Sequence, residues 1–428
     1  MLETFQNTLD FAKSLDKKDP VADFRARFHI PKDKDGNEVI YLCGNSLGLQ
    51  PKVTQDYLLQ ELGDWAKLGV HGHLEATNPW LNYHKLLTDK MAKIVGAKPI
   101  ETVVMNTLTA NLHFMMVSFY RPTKKRYKIL IEQDAFPSDR YAVESQIRHH
   151  NFDSDSGVII WKSQSGSSTP NLADLKKILD EQGDEIALIL IGAVNYYTGQ
   201  YFNLKEIATL GHKYGCMVGF DCAHGAGNVH LNLHESNADF AIWCSYKYLN
   251  SGPGSLAGCF VHERHAHNKE LNRFTGWWSH NPDTRFKMRD ELDLMPGAEG
   301  WQLSNPPILS MAAIRASLDI FDEAGFGNLV EKSIKLTSYF EFMLNNMDNQ
   351  DIEIITPTNP EERGCQLSIR VKNSNKDLFN RLESRGVVCD WREPDVIRCA
   401  PVPLYNSFED VYNMVNILQD CLKKEIVN

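Results

Sequence analysis

Two polar residues close apolar runs in the middle of the chain. Asp221 follows CMVGF in the stretch GFDCAHGAGN (219–228), and Lys247 follows ADFAIW in SYKYLNSGPGSLAG (245–258). Taken singly, Asp221 caps a turn with His224 on the surface, and Lys247 is a solvated side chain beside glycines. Taken together, an acid and a lysine 26 residues later each end a strand-like run, and one device accounts for both. A lysine amine readily forms a Schiff base with an aldehyde cofactor. A buried carboxylate keeps the ring nitrogen of pyridoxal phosphate protonated, so that the ring accepts electrons.

Two further strand ends carry polar residues. In MNTLTANLHF (105–114) a strand runs through Asn106, Thr107, Leu108 and Thr109 into a helix, which offers N–H groups and hydroxyls to a phosphate. Ordinary capping by Asn106 or Thr107 would look the same locally. In QDAFPSDR (133–140), Phe136 is placed to stack on a flat ring, and Ser138 and Asp139 are available to its substituents. On its own this is a proline-containing turn.

These residues need a frame that brings strand ends together. Strand-like runs at 102–105, 126–132, 157–161, 186–192, 216–220, 238–243 and 254–262 are rich in Val, Ile and Leu and mostly lack polar alternation. That is the pattern of a mainly parallel sheet covered on both faces. Helical stretches fit between them, one after the start signal Ser168-Thr169-Pro170 and closing at Gly183, another closing at Gly215. The chain is thus α/β with a large twisted sheet, and ligands are expected at the carboxyl ends of its strands. Beyond residue 308 two long helical patterns precede short strands and a last helix capped by Ser407, which implies a smaller α+β domain. The expected division is an N-terminal arm with a helix over 1–55, packing with the small domain, a large domain over 56–307 and the small domain over 308–428.

The 428 residues suit two domains. A net charge of −10 argues against a nucleic-acid or anionic-membrane surface. The longest apolar stretch, IALILIGAV (186–194), is too short to span a membrane, and the N-terminus lacks a signal-peptide core. Nine scattered cysteines without a CxxC pair suggest reduced thiols and a cytoplasmic protein.

The longer strings resemble the kynureninase family, in the class V branch of the fold-type-I, aspartate-aminotransferase-like pyridoxal phosphate enzymes. They are YLCGNSLGLQPK (41–52), NYYTGQYFNL (195–204), GFDCAHGAGNV, SYKYLNSGPGSLAG, CFVHERHAH (259–267), GWWSH (276–280), RFKM (285–288), SNPPIL (304–309) and APVPLYNSFED (400–410). The resemblance implies a homodimer with its active site at the subunit interface. Its reaction is hydrolysis of L-kynurenine or 3-hydroxy-L-kynurenine to the anthranilate and L-alanine, in tryptophan catabolism or nicotinamide-cofactor synthesis. It further implies pyridoxal phosphate in Schiff base on Lys247, Asp221 on the ring nitrogen, and His224 beside it. Leu108, Thr109 and Tyr246 match positions that hold the phosphate, and Phe136, Ser138 and Asp139 the stretch flanking the ring. Trp277 and Asn305 would come from the facing subunit. Ser46, His73 and Asn305 match positions lining the substrate's aromatic end, and Arg398 the one gripping its α-carboxylate. A guanidinium is suited to that two-point clamp. Tyr246 is a reasonable acid–base group, with a phenol pKa lowered by a neighbouring cation. One departure stands out: Gly192 occupies a cofactor-contact position where some relatives carry a hydroxyl. His73 and Asn305 favour 3-hydroxykynurenine as an accepted substrate.

Other readings are weaker. A cysteine desulfurase needs a mobile nucleophilic cysteine, and an aminotransferase a keto-acid partner. The histidines of HERHAH (262–267) lack the i, i+4 pair of HExxH, so a polar helix start is the better account and no metal is expected. The glycines at 252, 254 and 258 do not fit GxGxxG.

Overall fold

The computed structural model describes residues 4–164, 167–347, 351–372 and 376–423. By its internal contacts the chain divides into two compact units. One holds the residues up to Val53, Tyr197–Tyr201 and the chain from Ile320 on; the other holds Thr54–Tyr196 and Phe202–Asp319. A two-residue strand, β1 (Ile40–Tyr41), lies in the first of these.

The second, larger unit is built on seven strands: β2 (Thr102–Met105), β3 (Lys128–Glu132), β4 (Val158–Trp161), β5 (Ile186–Gly192), β6 (Met217–Asp221), β7 (Phe240–Cys244) and β8 (Ala257–Val261). Their order is β2-β8-β7-β6-β5-β3-β4. The neighbours from β7 to β4 run parallel, whereas β8 is antiparallel to both β7 and β2. All seven expected strands are present, 102–105 and 186–192 with the expected bounds and the other five trimmed or shifted at their ends by one to three residues. Near-continuous burial along β2, β5, β7 and β8 is why their sequences show no polar alternation. On one face, Met115, Phe119, Val143 and Ile147 pack against Ile129, Leu188 and Phe240.

β7 leads to Lys247, and two glycines set how closely its neighbours approach. Phe240 pairs with Gly219 on β6, and Trp243 with Gly258 on β8. A Cβ at either glycine would stand 2.1 Å from the facing ring. Asp239, just before β7, is a second clamp. Its buried carboxylate accepts the Val218 N–H at 2.7 Å, His212 Nε2 and His265 Nε2 each at 2.9 Å, and Arg264 at 2.6 Å. Burial alone would raise this carboxyl, but the two histidine bonds and the guanidinium hold it well below the usual range. His262 instead caps the Glu263–His265 turn, its Nδ1 accepting the Arg264 N–H, as a polar helix start requires. It lies near His234 and Glu101. The Glu101 carboxylate is already engaged, accepting the Lys98 and Glu263 N–H groups and bonding His234 Nδ1.

In the smaller unit, β9 (Ile352–Ile354), β10 (Leu367–Val371), β12 (Asp390–Arg392) and β13 (Val396–Cys399) form an antiparallel sheet in the order β12-β13-β10-β9. β11 (Val387–Val388) pairs in parallel with β1. Helix Leu9–Lys18 joins this unit. Asp16 on it accepts the Phe408 and Glu409 N–H groups at the start of helix Phe408–Lys423, which Ser407 also caps.

Two expectations need correction. The division falls at 319/320, inside helix Ile308–Ala324, and not at 307/308. The first three turns of that helix bond within the larger unit, where Ser317 donates to the Leu249 carbonyl and Arg315 to Tyr83 Oη. Helix Leu172–Gln182 is capped by Asn171, not by Ser168-Thr169-Pro170. Asn171 Oδ1 accepts the Ala173 and Asp174 N–H groups while Asp174 returns a bond, a complete capping box. Among the described residues no helix is long and apolar enough to cross a membrane.

Gly258→Ala is expected to destabilise the protein by about 1–3 kcal/mol, the usual cost of overpacking. It should lower the denaturant midpoint at unchanged slope; an unchanged midpoint would show that Trp243 yields freely.

Candidate active site

The carboxyl ends of β3, β5 and β6 and the segment after β7 surround one cavity of about 140 Å³ in the larger unit. Ten of the residues singled out in the sequence line it: Leu108, Thr109, Phe136, Ser138, Asp139, Gly192, Asp221, His224, Tyr246 and Lys247. Glu132, Val194, Tyr196 and Ala223 complete the lining.

Each member has a local cause. Asn106 takes the left-handed conformation at φ 51°, turning the chain from β2 into helix Leu108–Phe119. Its side chain bonds Asn111, and Thr107 makes no side-chain cap. Capping therefore does not account for this N-terminus, and its N–H groups remain available to an anion. Helix Pro137–His149 likewise begins without a side-chain cap, after Phe136. Thr109 Oγ1 and Ser138 Oγ, one in the first turn of each helix, lie 3.2 Å apart. Two helix N-termini and two hydroxyls thus meet at one wall. Asn195 holds the 133–136 loop by donating to the Gln133 and Asp134 carbonyls. Phe136 is 41% exposed, its ring edge-on to Tyr196.

Lys247 Nζ is 3.0 Å from His224 Nε2 and 5.8 Å from the Phe136 ring centre. An ammonium can only donate, so His224 accepts with Nε2. The sequence placed His224 on the surface when read alone; it is buried, and Asn228 holds its carbonyl.

Three buried carboxyls face the same space. Burial raises Asp221, against the Ala223 N–H it accepts at 2.7 Å and the charge of Lys247. Burial raises Asp139 further, reinforced by the adjacent Asp221, with which it shares a hydrogen bond. A hydrogen bond between two carboxyls needs a proton, so the pair holds one in common. One buried oxygen of Asp139, Oδ1, has no hydrogen-bond partner. Glu132 is pushed up to about 7, chiefly by burial, with Asp221 adding to it. Tyr246 differs from expectation: burial raises its phenol, with the neighbouring Cys244 and, last, Asp221 adding to it.

The remaining candidates are not part of this lining. His73 is half-buried with its ring edge-on to Trp80. Trp277 is 44% exposed against Trp278 and Phe286, and Asn305 is exposed. In the smaller unit Ser46 is exposed, while Arg398 is buried and paired with Asp390 at 2.5 Å.

Comparison with known proteins decides the family. The kynureninase of Koribacter versatilis is 56% identical over 411 residues, covering 96% of this chain and 97% of the relative. That of Mus musculus is 47% identical over 430 residues, covering 96% and 92%. The chain belongs to the kynureninase family. Residues 329–418 also match the family model described as the kynureninase C-terminal domain. Among solved structures, the fold is that of the cysteine desulfurases CsdA of Escherichia coli (TM-score 0.75, 16% identity, 94% of this chain and 98% of that one) and of Thermococcus onnurineus (0.74, 16%, 90% and 95%). The expected fold-type-I architecture is therefore the one present: a mostly parallel sheet with a smaller C-terminal domain.

The sequence reading missed Glu132, although an acid ending the apolar run KILI was the available signal. A carboxyl raised in the folded state holds extra protons there. Its contribution to stability is complete at low pH and is lost as pH rises through the folded value. Glu132→Gln is expected to remove the decline in stability between about pH 4.5 and about pH 7 that the wild type shows relative to it. Thermal unfolding of both across this interval checks it; parallel curves contradict a raised Glu132.

Proposed function

We propose that this protein is a pyridoxal-phosphate-dependent hydrolase that converts L-kynurenine, 3-hydroxy-L-kynurenine or both to the corresponding anthranilate and L-alanine. The observation that carries this is the convergence of Lys247, Asp221 and two uncapped helix N-termini on one cavity, in a chain 47–56% identical to kynureninases over nearly its whole length.

The cavity fits the cofactor part by part. A phosphate is dianionic and suits the N–H groups at Leu108 and Thr109 with the hydroxyls of Thr109 and Ser138. A flat ring suits the face of Phe136, and a protonated ring nitrogen suits the Asp221 carboxyl. Bound there, pyridoxal phosphate supplies an electron sink for the loss of the substrate's α-proton and the breaking of its Cβ–Cγ bond.

The chain's own groups do the rest. Lys247 Nζ would be the attachment point for the cofactor and the base that moves the substrate's α-proton. His224 Nε2 steadies that nitrogen by accepting from it. Tyr246, its phenol held protonated by burial, is an acid for the departing carbon or the γ-oxygen. Arg398 offers the substrate's α-carboxylate a planar fork, and its position in the family's pattern supports that role.

A homodimer with the active site at its interface is supported by the apolar surface of the larger unit. Leu59, Leu62 and Trp65 stand 54%, 40% and 58% exposed along one face of helix Thr54–Leu68, followed by Val70 and Leu74, both over 70% exposed. Trp277 and Asn305, exposed and outside the protomer's own cavity lining, suit residues lent to a facing subunit. The soluble composition supports a cytoplasmic location.

Purified protein with pyridoxal phosphate and L-kynurenine is expected to release fluorescent anthranilate and alanine in equal amounts. Lys247→Ala should lower kcat by about 10³-fold or more; turnover within tenfold of wild type would overturn the assignment. Arg398→Lys should raise KM about tenfold or more, because an ammonium cannot give the two-point contact. An unchanged KM would remove Arg398 from the site.

A further inference from the structure

Glu132 ends β3 beside the end of β5, and it is 4% exposed in the wall of the cavity. Its Oε2 accepts the Gly192 N–H at 3.1 Å. Its Oε1 occupies the space next to Gly192, since a Cβ there would stand 2.8 Å away. Gly192 is not among the positive-φ glycines, so room, and not backbone conformation, requires glycine at this position. The acid and the glycine are therefore one unit, and the polar group that reaches the cavity at position 192 belongs to residue 132.

We propose that Glu132 is a positioning residue of the cofactor site, its carboxyl taking the place of a side chain at 192 and presenting an uncharged, hydrogen-bond-donating acid to the cavity. This rests on the reading that the cavity takes pyridoxal phosphate. The charges require it. Asp221 must be ionised to hold a ring nitrogen protonated, and Asp139 already shares a proton with it. A third ionised carboxylate, buried beside that pair with only its own N–H and that of Gly192 at 3.1 Å as backbone donors, would be poorly compensated. A protonated Glu132 keeps its bond from Gly192 through one oxygen and donates through the other. Its raised pKa near 7 agrees.

The test is the dissociation constant of pyridoxal phosphate itself, read from the visible band of the bound cofactor and from equilibrium dialysis, for the full-length protein. Glu132→Ala is expected to weaken binding about tenfold. Glu132→Gln, which imitates the protonated acid, should recover most of that loss. As pH rises through about 7 the wild type should lose affinity, and Glu132→Gln should lack that step, which a merely space-filling residue would not produce. Gly192→Ser alone should weaken binding through its clash with Oε1. Gly192→Ser with Glu132→Ala should bind more tightly than the product of the single effects, because the new hydroxyl refills the vacated space. Equal weakening by Glu132→Gln and Glu132→Ala would overturn the uncharged acid, and strictly multiplicative effects at 132 and 192 would overturn the shared space. A wild type that binds no pyridoxal phosphate at all would overturn the cofactor reading, and this inference with it.

Discussion

Asp221 is a carboxylate brought to the end of a buried strand, with Lys247 approaching it from the neighbouring one and Asp139 sharing its proton. Removing one partner from a buried, paired charge typically costs about 3–5 kcal/mol. The surrounding structure must therefore hold several groups at once. The Ala223 N–H anchors Asp221 from below. His224 holds Lys247. Burial raises the carboxyls of Glu132 and Asp139, which opposes a cluster of like charges around Asp221.

The sheet brings these strand ends together through close pairing. Gly219 and Gly258 let the rings of Phe240 and Trp243 lie flat across adjacent strands, and Asp239 gathers His212, His265 and Arg264 where β7 begins. The parallel run from β4 to β7 points its carboxyl ends the same way, so side chains far apart in sequence meet at one edge. Reduced, buried thiols fit the same picture. Eight of the nine cysteines are buried, and burial pushes half-buried Cys43 up to about 12. No cysteine here carries the exposed, activated thiolate that desulfurase chemistry demands, even though the fold is shared with desulfurases.

Much of this was legible in the chain. Unalternating apolar runs pointed to the buried sheet, and residues placed just after them pointed to Thr109, Phe136, Ser138, Asp139, Asp221 and Lys247, while Gly192 and Tyr246 came only with the family resemblance. What stayed hidden depends on distances between residues that no local pattern encodes. Glu132 closes its strand as plainly as Asp221 closes β6, but only the proximity of Gly192 shows why it matters. Asn171 was passed over as a cap because the start signal three residues earlier is equally plausible until the reciprocal bond to Asp174 is seen. The boundary at 308 failed for the same reason: texture changes there, while the partners of Arg315 and Ser317 lie elsewhere in sequence. The direction of the Tyr246 phenol follows chiefly from its burial, which the sequence does not state.

We propose Lys247 as the amine that holds an aldehyde cofactor against Asp221. The most direct test is borohydride reduction of the protein with pyridoxal phosphate, followed by peptide mass mapping. A single phosphopyridoxyl mass increment is expected on the peptide containing Lys247, and its loss in Lys247→Ala. Stable modification of a different lysine, or none at Lys247, would contradict it.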